Sequence, residues 1–264
     1  MAGSGDIPRL IGMVHLGPLP GSSRYDDDLD NLIEDAVTDA ERLEAAGFDG
    51  LMIENFGDAP FFADDVPKVT IAAMTRVVSD IAAAVNIPFG VNVLRNDALG
   101  ALAVAAATDA AFVRVNVLSG EMATDQGTIR GRAAEVARMR RSIAPDTRIL
   151  ADVFVKHATP PPGLTLDQAV ADTAERAGAD AIVISGSATG KAPTLPTIRK
   201  ARAAAAGVPI VIGSGATPAS AGKLLDIADS LIVGTSIKER KATTNPVSAR
   251  AATAFVRAAR KGKR

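Results

Sequence analysis

The sequence predicts a closed (β/α)8 barrel, and three observations predict it. Eight short apolar runs alternate with eight segments of helical spacing across 264 residues. Most of the apolar runs are bounded by Gly, Pro, Asn or Asp, as short buried strands are. No composition break or linker interrupts the alternation, so one domain over residues 1–264 is expected. An open doubly wound sheet would want a G-x-G-x-x-G turn after the first strand. The chain has Gly17-Pro18-Leu19-Pro20-Gly21 there, and the prolines spoil that turn.

The strands are expected at 10–15, 50–54, 88–94, 111–116, 149–155, 180–185, 208–213 and 229–234. The helices are expected at 29–46, 69–85, 97–107, 128–143, 165–177, 194–206, 218–227 and 246–259. The first helix shows the pattern plainly. Leu29, Ile33, Ala36, Val37, Ala40 and Leu43 recur at three- and four-residue steps, with Asp and Glu between them. Gly47 and Gly178 follow helices and precede strands, the usual left-handed C-cap position. Pro218 behind Thr217 and Pro246 behind Asn245 are read as first helical residues behind capping side chains.

Composition excludes several functions. The chain has no Cys, so it holds no disulfide framework, Cys-ligated zinc or thiol nucleophile. Lys+Arg number 29 against 30 Asp+Glu, and aromatics are 3%, which argues against a nucleic-acid polymer as partner. No apolar run reaches the ~18 residues of a membrane span, and MAGSGDIPRL lacks the form of a signal peptide. A cytoplasmic protein without membrane insertion is therefore expected. The basic run Arg260, Lys261, Lys263 and Arg264 is read as a solvated tail.

Strands of a parallel barrel are buried on both faces, so a polar residue inside one needs a reason. Alternation puts Gly50, Met52 and Glu54 on one face of the second strand, and Gly90 and Asn92 on one face of the third. It does the same for Phe112, Arg114 and Asn116, and for Leu150 and Asp152. The opposite faces are apolar and should meet the helices. Glu54, Asn92, Arg114, Asn116, Asp152 and Lys156 should then face the C-terminal mouth, where active sites of this fold sit. A satisfied internal network without chemistry is the competing explanation. His15 closes the first strand and His157 follows the fifth, so both histidines fall at that same end.

The strand ends near the C-terminus carry an anion signal. The seventh strand ends in Gly213-Ser214-Gly215 and the eighth in Gly234-Thr235-Ser236. Glycine lets backbone N–H groups approach an anion, and Ser and Thr add hydroxyl donors. The loops after strands seven and eight commonly bind phosphate in barrels. Ser185-Gly186-Ser187-Ala188-Thr189-Gly190-Lys191 ends the sixth strand and could add donors or act as a lid. It is not a P-loop, because Ala192 follows Lys191. The long loop 55–68, with three Phe and three Asp, suggests a substrate cover or a subunit contact.

IGMVHLGPLPGS at 11–22, GFDGLMIENFGDAPF at 47–61, PFGVNVLRND at 88–97, FVRVNVLSG at 112–120 and ADVFVKHA at 151–158 resemble the BtpA/SgcQ family. The VIGSGAT and IVGTSIK turns add to the resemblance, which covers essentially the whole chain. It implies a TIM barrel of the phosphate-binding kind. The family takes its name from a cyanobacterial protein associated with photosystem I, and SgcQ-like members are associated with sugar-utilisation genes. The resemblance carries no catalytic roles over to individual residues.

The leading expectation is an enzyme acting on a small phosphorylated metabolite, a sugar phosphate or nucleotide-like ribosyl compound. Glu54 and Asp152 would do general acid/base work, and Arg114 and Lys156 would stabilise developing negative charge. Lys156 could instead form a Schiff base. His15, Asn92, Asn116, His157 and Ser185 would bind substrate. Gly213, Ser214, Gly215, Gly234, Thr235 and Ser236 would hold the phosphate. No H-x-H or D-x-D spacing supports a metal, and no cofactor is expected. The rivals are a non-enzymatic assembly factor, and a metal-dependent enzyme using His15, Glu54, Asp152 and His157. Barrels of this size commonly associate, so a homo-oligomer is expected.

Overall fold

The computed structural model describes residues 7–186 and 190–261. Eight parallel strands form a closed ring: β1 Leu10–His15, β2 Gly50–Glu54, β3 Phe89–Asn92, β4 Phe112–Val115, β5 Arg148–Val153, β6 Ala181–Ile184, β7 Ile210–Ile212 and β8 Ser230–Val233. Each strand pairs with its sequence neighbours, and β8 closes onto β1 with Leu10 opposite Leu231. The helices between and after them are α1 Leu29–Ala46, α2 Lys68–Ala84, α3 Ala98–Thr108, α4 Ala133–Ile143, α5 Leu166–Ala171, α6 Leu195–Ala204, α7 Ala221–Leu225 and α8 Ala249–Lys261.

The strands divide the core in two. Their outward residues pack against the helices in one large cluster. Their inward residues Ile11, Met13, Met52, Phe112, Leu150, Ala181, Val183, Val211 and Ile232 form a separate plug that fills the barrel below the mouth. Gly90 stands beside Phe112 in the β3–β4 register, and a Cβ there would lie 2.1 Å from the Phe112 ring. The glycine thus gives the large ring its room.

The N-terminal end of the barrel explains why Asp stands before several strands. Asp49 accepts from the Leu10 N–H at 3.0 Å, Asp180 from Ile149 at 2.8 Å and Asp229 from Ile210 at 2.7 Å. Each carboxylate satisfies a strand-end donor that the ladder leaves over. Gly47 ends α1 at φ 91°, and Gly178 stands at φ 71° after α5 and its continuation.

Several element boundaries differ from the sequence expectation. The helix expected at 128–143 starts at Ala133, because Gly127–Arg130 pairs antiparallel with Glu121–Thr124 in a hairpin. Ala158–Thr159 adds a third short strand to it. Buried Met122 and Ile129 alternate with exposed neighbours there, which is strand periodicity inside what was read as loop and helix. Beyond Ala171, α5 continues as a π turn over Asp172–Arg176.

Pro218 and Pro246 are not first helical residues. Thr217 and Ser220 bond to one another in a turn before α7, and Val247 bridges Lys238 before α8 begins. Arg260 is no free tail either. It donates to Gly47 O at 2.8 Å and Asp49 at 3.0 Å, while Lys263 and Arg264 lie outside the described residues. Among the described residues no helix is long and apolar enough to cross a membrane.

Gly90→Val should force Phe112 out of its place in the plug. We expect a loss of about 1–3 kcal/mol, read as a lower urea midpoint, with much of it recovered by adding Phe112→Leu. An unchanged midpoint in G90V would show that the plug does not depend on this contact.

Candidate active site at the barrel mouth

Alternation carries a polar layer on top of the apolar plug. Asp152, at the end of β5, is the most fully engaged group in it. Arg114 on β4 grips it with two bonds, Nε to Oδ2 at 2.8 Å and Nη2 to Oδ1 at 2.9 Å. Asn116 Nδ2 donates to Oδ2 at 3.0 Å, and Ser185 Oγ reaches Oδ1 at 3.4 Å. The Asp152 side chain has no exposure. A carboxylate with every oxygen engaged anchors others better than it accepts protons.

Glu54, at the end of β2, differs. Its Oε2 accepts from Asn92 Nδ2 at 2.6 Å and stands 4.0 Å from Arg114. Its Oε1 stands 4.0 Å from His15 Nε2, and Glu54 lines the cavity at the mouth. The two carboxylates assigned a common role therefore stand in different environments. Burial, with Lys238, Lys156 and Arg114 nearby, holds the His15 pKa well below its usual value, so the imidazole is neutral at pH 7. Its ring packs against Phe56, with centroids 5.0 Å apart.

The cavity holds about 260 Å³. Lys156 lines it from the loop after β5, where Phe154 and His157 take left-handed backbone conformations that turn the chain inward. Burial and then Arg114 lower the Lys156 pKa. Burial also works against the charge of Arg114, but Asp152 and Glu54 outweigh it and keep the guanidinium firmly protonated. His157 lines the cavity as well, whereas Asn92 serves it from behind by holding Glu54.

Gly213, Ser214, Gly215, Gly234 and Thr235 form the wall on the β7–β8 side. Their details differ from the expected roles. Ser214 Oγ donates to Lys191 O at 3.1 Å and Ser236 Oγ to Ala216 O at 2.8 Å, so both hydroxyls tie loops together. Thr235 shares its hydroxyl with Thr243 at 3.0 Å. Gly215 has φ 77°, and a Cβ on it would stand 2.0 Å from Ala192 N. That glycine is thus required by loop packing as well as by any approach to an anion. The N–H groups of Ser214 and Gly215 find no acceptor among the described residues. Ser187, Ala188 and Thr189 of the loop after β6 lie outside the described residues.

Three contributors were not singled out from the sequence. Arg95 follows β3, is buried, and donates to Lys156 O at 2.5 Å while lining the cavity. A lone arginine in the NVLRND turn, directly after a strand's C-terminal end, was the available signal. Asp125 and Gln126 reach the cavity from the tip of the unexpected hairpin. Phe61 of the 55–68 loop also lines it, while its neighbour Phe62 is 55% exposed. That loop is held by Asn55, which bonds Asp58 at 2.9 Å and the Leu94 N–H at 2.7 Å.

As a chemical device, the mouth offers the Glu54 carboxylate with a neutral imidazole near it, the Asp125 carboxylate at the hairpin tip, the basic side chains of Arg95, Arg114 and Lys156, and a glycine-rich wall. Among the described residues no three His, Asp or Glu side chains converge at metal-binding spacing, and Asp152 is already committed to Arg114.

A (β/α)8 barrel with a polar, cation-bearing cavity at its C-terminal mouth is the class of protein that this fold and site define. The chain matches the BtpA family over residues 8–261 and belongs to it. The Photosystem I biogenesis protein BtpA of Synechocystis is 46% identical over 253 residues, 96% of this chain and 88% of that protein. The sgc region protein SgcQ of Escherichia coli is 27% identical over 87% of this chain and 86% of its own length. Among solved structures, a thiamine phosphate pyrophosphorylase from Pyrococcus furiosus superposes with TM-score 0.60 at 15% identity, covering 97% of each chain. A phosphoribosyl anthranilate isomerase from Thermus thermophilus does so with TM-score 0.60 at 12% identity, covering 96% of this chain and 98% of that one. At these identities the two structures establish the fold alone.

Two outcomes test the electrostatics. Asp152→Asn leaves Arg114 buried without its main counter-charge, and a loss of about 3–5 kcal/mol in urea unfolding is expected. A loss under about 1 kcal/mol would refute the pair's anchoring role. The native His15 pKa lies below the ordinary value of 6.5. As pH falls through that value the unfolded chain takes up a proton the native state refuses, so stability declines. Unfolding midpoints from about pH 8 to about pH 5 should fall more steeply for the wild type than for His15→Asn.

Proposed function

We propose that this protein is an enzyme acting on a small phosphorylated metabolite, with Glu54 as its general acid/base. The observation that carries the reading is the placement of Glu54. It is the inward carboxylate with an oxygen left open to the cavity, and it shares that cavity with Arg95, Lys156 and the glycine turns after β7 and β8. The phosphate would sit on the Gly213–Gly215 and Gly234–Thr235 turns, bound chiefly by backbone N–H groups. Ser214 and Ser236 would hold those turns in shape.

Arg114 would stabilise negative charge that develops near Glu54, and Asp152 would position Arg114 rather than move protons. His15 would orient substrate as a neutral group. Lys156, with its lowered pKa, would add positive charge or act as an amine nucleophile. The names of the two solved neighbours, both built on phosphorylated compounds, support the choice of substrate class. A cytoplasmic homo-oligomer is part of the reading, with exposed Phe62 as a surface that association would cover.

The name of the Synechocystis relative supports a second reading, a non-enzymatic assembly factor. A thermal-shift screen of phosphorylated and matched unphosphorylated metabolites separates the two. At a hundredfold excess over Kd, a true ligand adds about 2.7 kcal/mol, or roughly 5–10 °C for a chain of this size. Glu54→Gln should keep that shift and slow turnover by about a hundredfold or more. Stabilisation by no phosphorylated compound would favour the assembly reading.

A further inference from the structure

Three basic side chains are buried among the described residues: Arg95, Arg114 and Lys238. Arg114 has Asp152, and Lys238 Nζ lies 2.7 Å from Asp39 Oδ2. Buried charges are paired in this way because an ion taken out of water needs a partner to replace it. Arg95 makes no ion pair among the described residues. Its one side-chain bond runs from Nη2 to Lys156 O, a neutral carbonyl, at 2.5 Å. Lys156, whose backbone it holds, makes no ion pair among them either.

The carboxylates of the mouth are engaged elsewhere. Asp152 is saturated, Glu54 accepts from Asn92 and stands 4.0 Å from Arg114, and exposed Asp125 bonds Gln126 at the hairpin tip. Burial holds Arg95 below its ordinary pKa, against the attraction of Asp152, Glu54 and Asp125. Burial also lowers Lys156, and Arg114 and Arg95 add to the effect. The unpaired donors are not sealed in. Arg95 Nε and Nη1 and Lys156 Nζ find no acceptor among the described residues, yet none is among the fully buried unmatched polar atoms. They keep open surface, and both side chains line the mouth cavity. In the closed ring β3, which Arg95 follows, stands opposite β7, whose end carries Gly213–Gly215. One cavity thus has glycine turns on one side and, across from them, a guanidinium and an amine without a counter-ion.

We propose that Arg95 and Lys156 form a carboxylate-binding site, so that the ligand is a phosphorylated carboxylic acid spanning the mouth. The planar donors of a guanidinium match a carboxylate, and the amine adds neutralising charge. The phosphate end rests on the proposed phosphorylated-metabolite reading; the carboxylate end rests on the two unpaired basic side chains alone. Arg95 becomes the residue that selects an acid over the corresponding alcohol.

The test is calorimetric titration with matched pairs in which a carboxylate replaces a CH2OH group. The pairs are 3-phosphoglycerate with glycerol 3-phosphate, and 6-phosphogluconate with sorbitol 6-phosphate; gluconate is the unphosphorylated acid. The wild type should bind the acid of at least one pair about tenfold or more tightly than its alcohol. Arg95→Gln should remove that preference and leave the alcohol within about twofold. Arg95 also ties down the loop after β5, so melting curves check that the variant is folded. Lys156→Met, which breaks no ion pair, should reduce the same preference independently. If gluconate binds in an Arg95-dependent way and the phosphate adds nothing, the carboxylate site stands and the phosphate reading falls. If the alcohols bind as well as the acids, the phosphate reading stands and the inference is overturned. It is overturned as well if no acid binds, or if Arg95→Gln weakens the alcohols equally, which would put the phosphate itself on Arg95.

Discussion

Arg114 and Asp152 meet in the centre of the barrel, above the apolar plug and below the cavity, and the mouth is organised around that contact. Two ions placed there lose their hydration, a cost that only close and complete pairing offsets. The geometry supplies it: two guanidinium bonds, one amide bond and a hydroxyl converge on a carboxylate with no exposure. Because Asp152 is saturated, Arg114 has a fixed direction and can also stand 4.0 Å from Glu54. The properties of the cavity thus descend from how one ion pair is satisfied.

That pairing also separates the roles of two chemically similar residues. Glu54 and Asp152 both end barrel strands and both face inward. Asp152 faces a guanidinium fork and becomes a fixture. Glu54 faces one amide, a distant guanidinium and a neutral imidazole, and retains an oxygen toward the cavity. Identical functional groups diverge because the number of donors each meets differs, and donors come from neighbouring strands.

Much of the fold was legible in the chain. Val, Ile and Leu runs bounded by Gly and Asp marked all eight strands, and strict alternation identified which residues face inward, since a β-strand has a period of two. Phe154 ended that regularity by adopting a left-handed conformation, which no periodicity reveals. The hairpin at 121–130 was missed because two four-residue strands leave too short a pattern, and Ala133–Ile143 beside it extends a helical reading backward. Pro218 and Pro246 misled in a related way. Proline is equally at home in the turn before a helix and in its first position.

The site was legible as a set of residues but not as a set of roles. Glycines at 213, 215 and 234 pointed to close backbone approaches, and only the packed loops show that Gly215 meets Ala192. Serines 214 and 236 read as free hydroxyls until the carbonyls of Lys191 and Ala216 were in place. Arg95 gave almost no signal, because its burial is decided by loops from elsewhere in the chain. By itself the sequence determined the barrel, its register of inward and outward faces, and the end where polar groups collect. Those follow from local periodicity and short connections. Tertiary structure alone decided which carboxylate is anchored, which oxygen is open and which basic side chains lack a carboxylate. Those are matters of counting partners in space, and the partners lie as far as 61 positions apart in the chain.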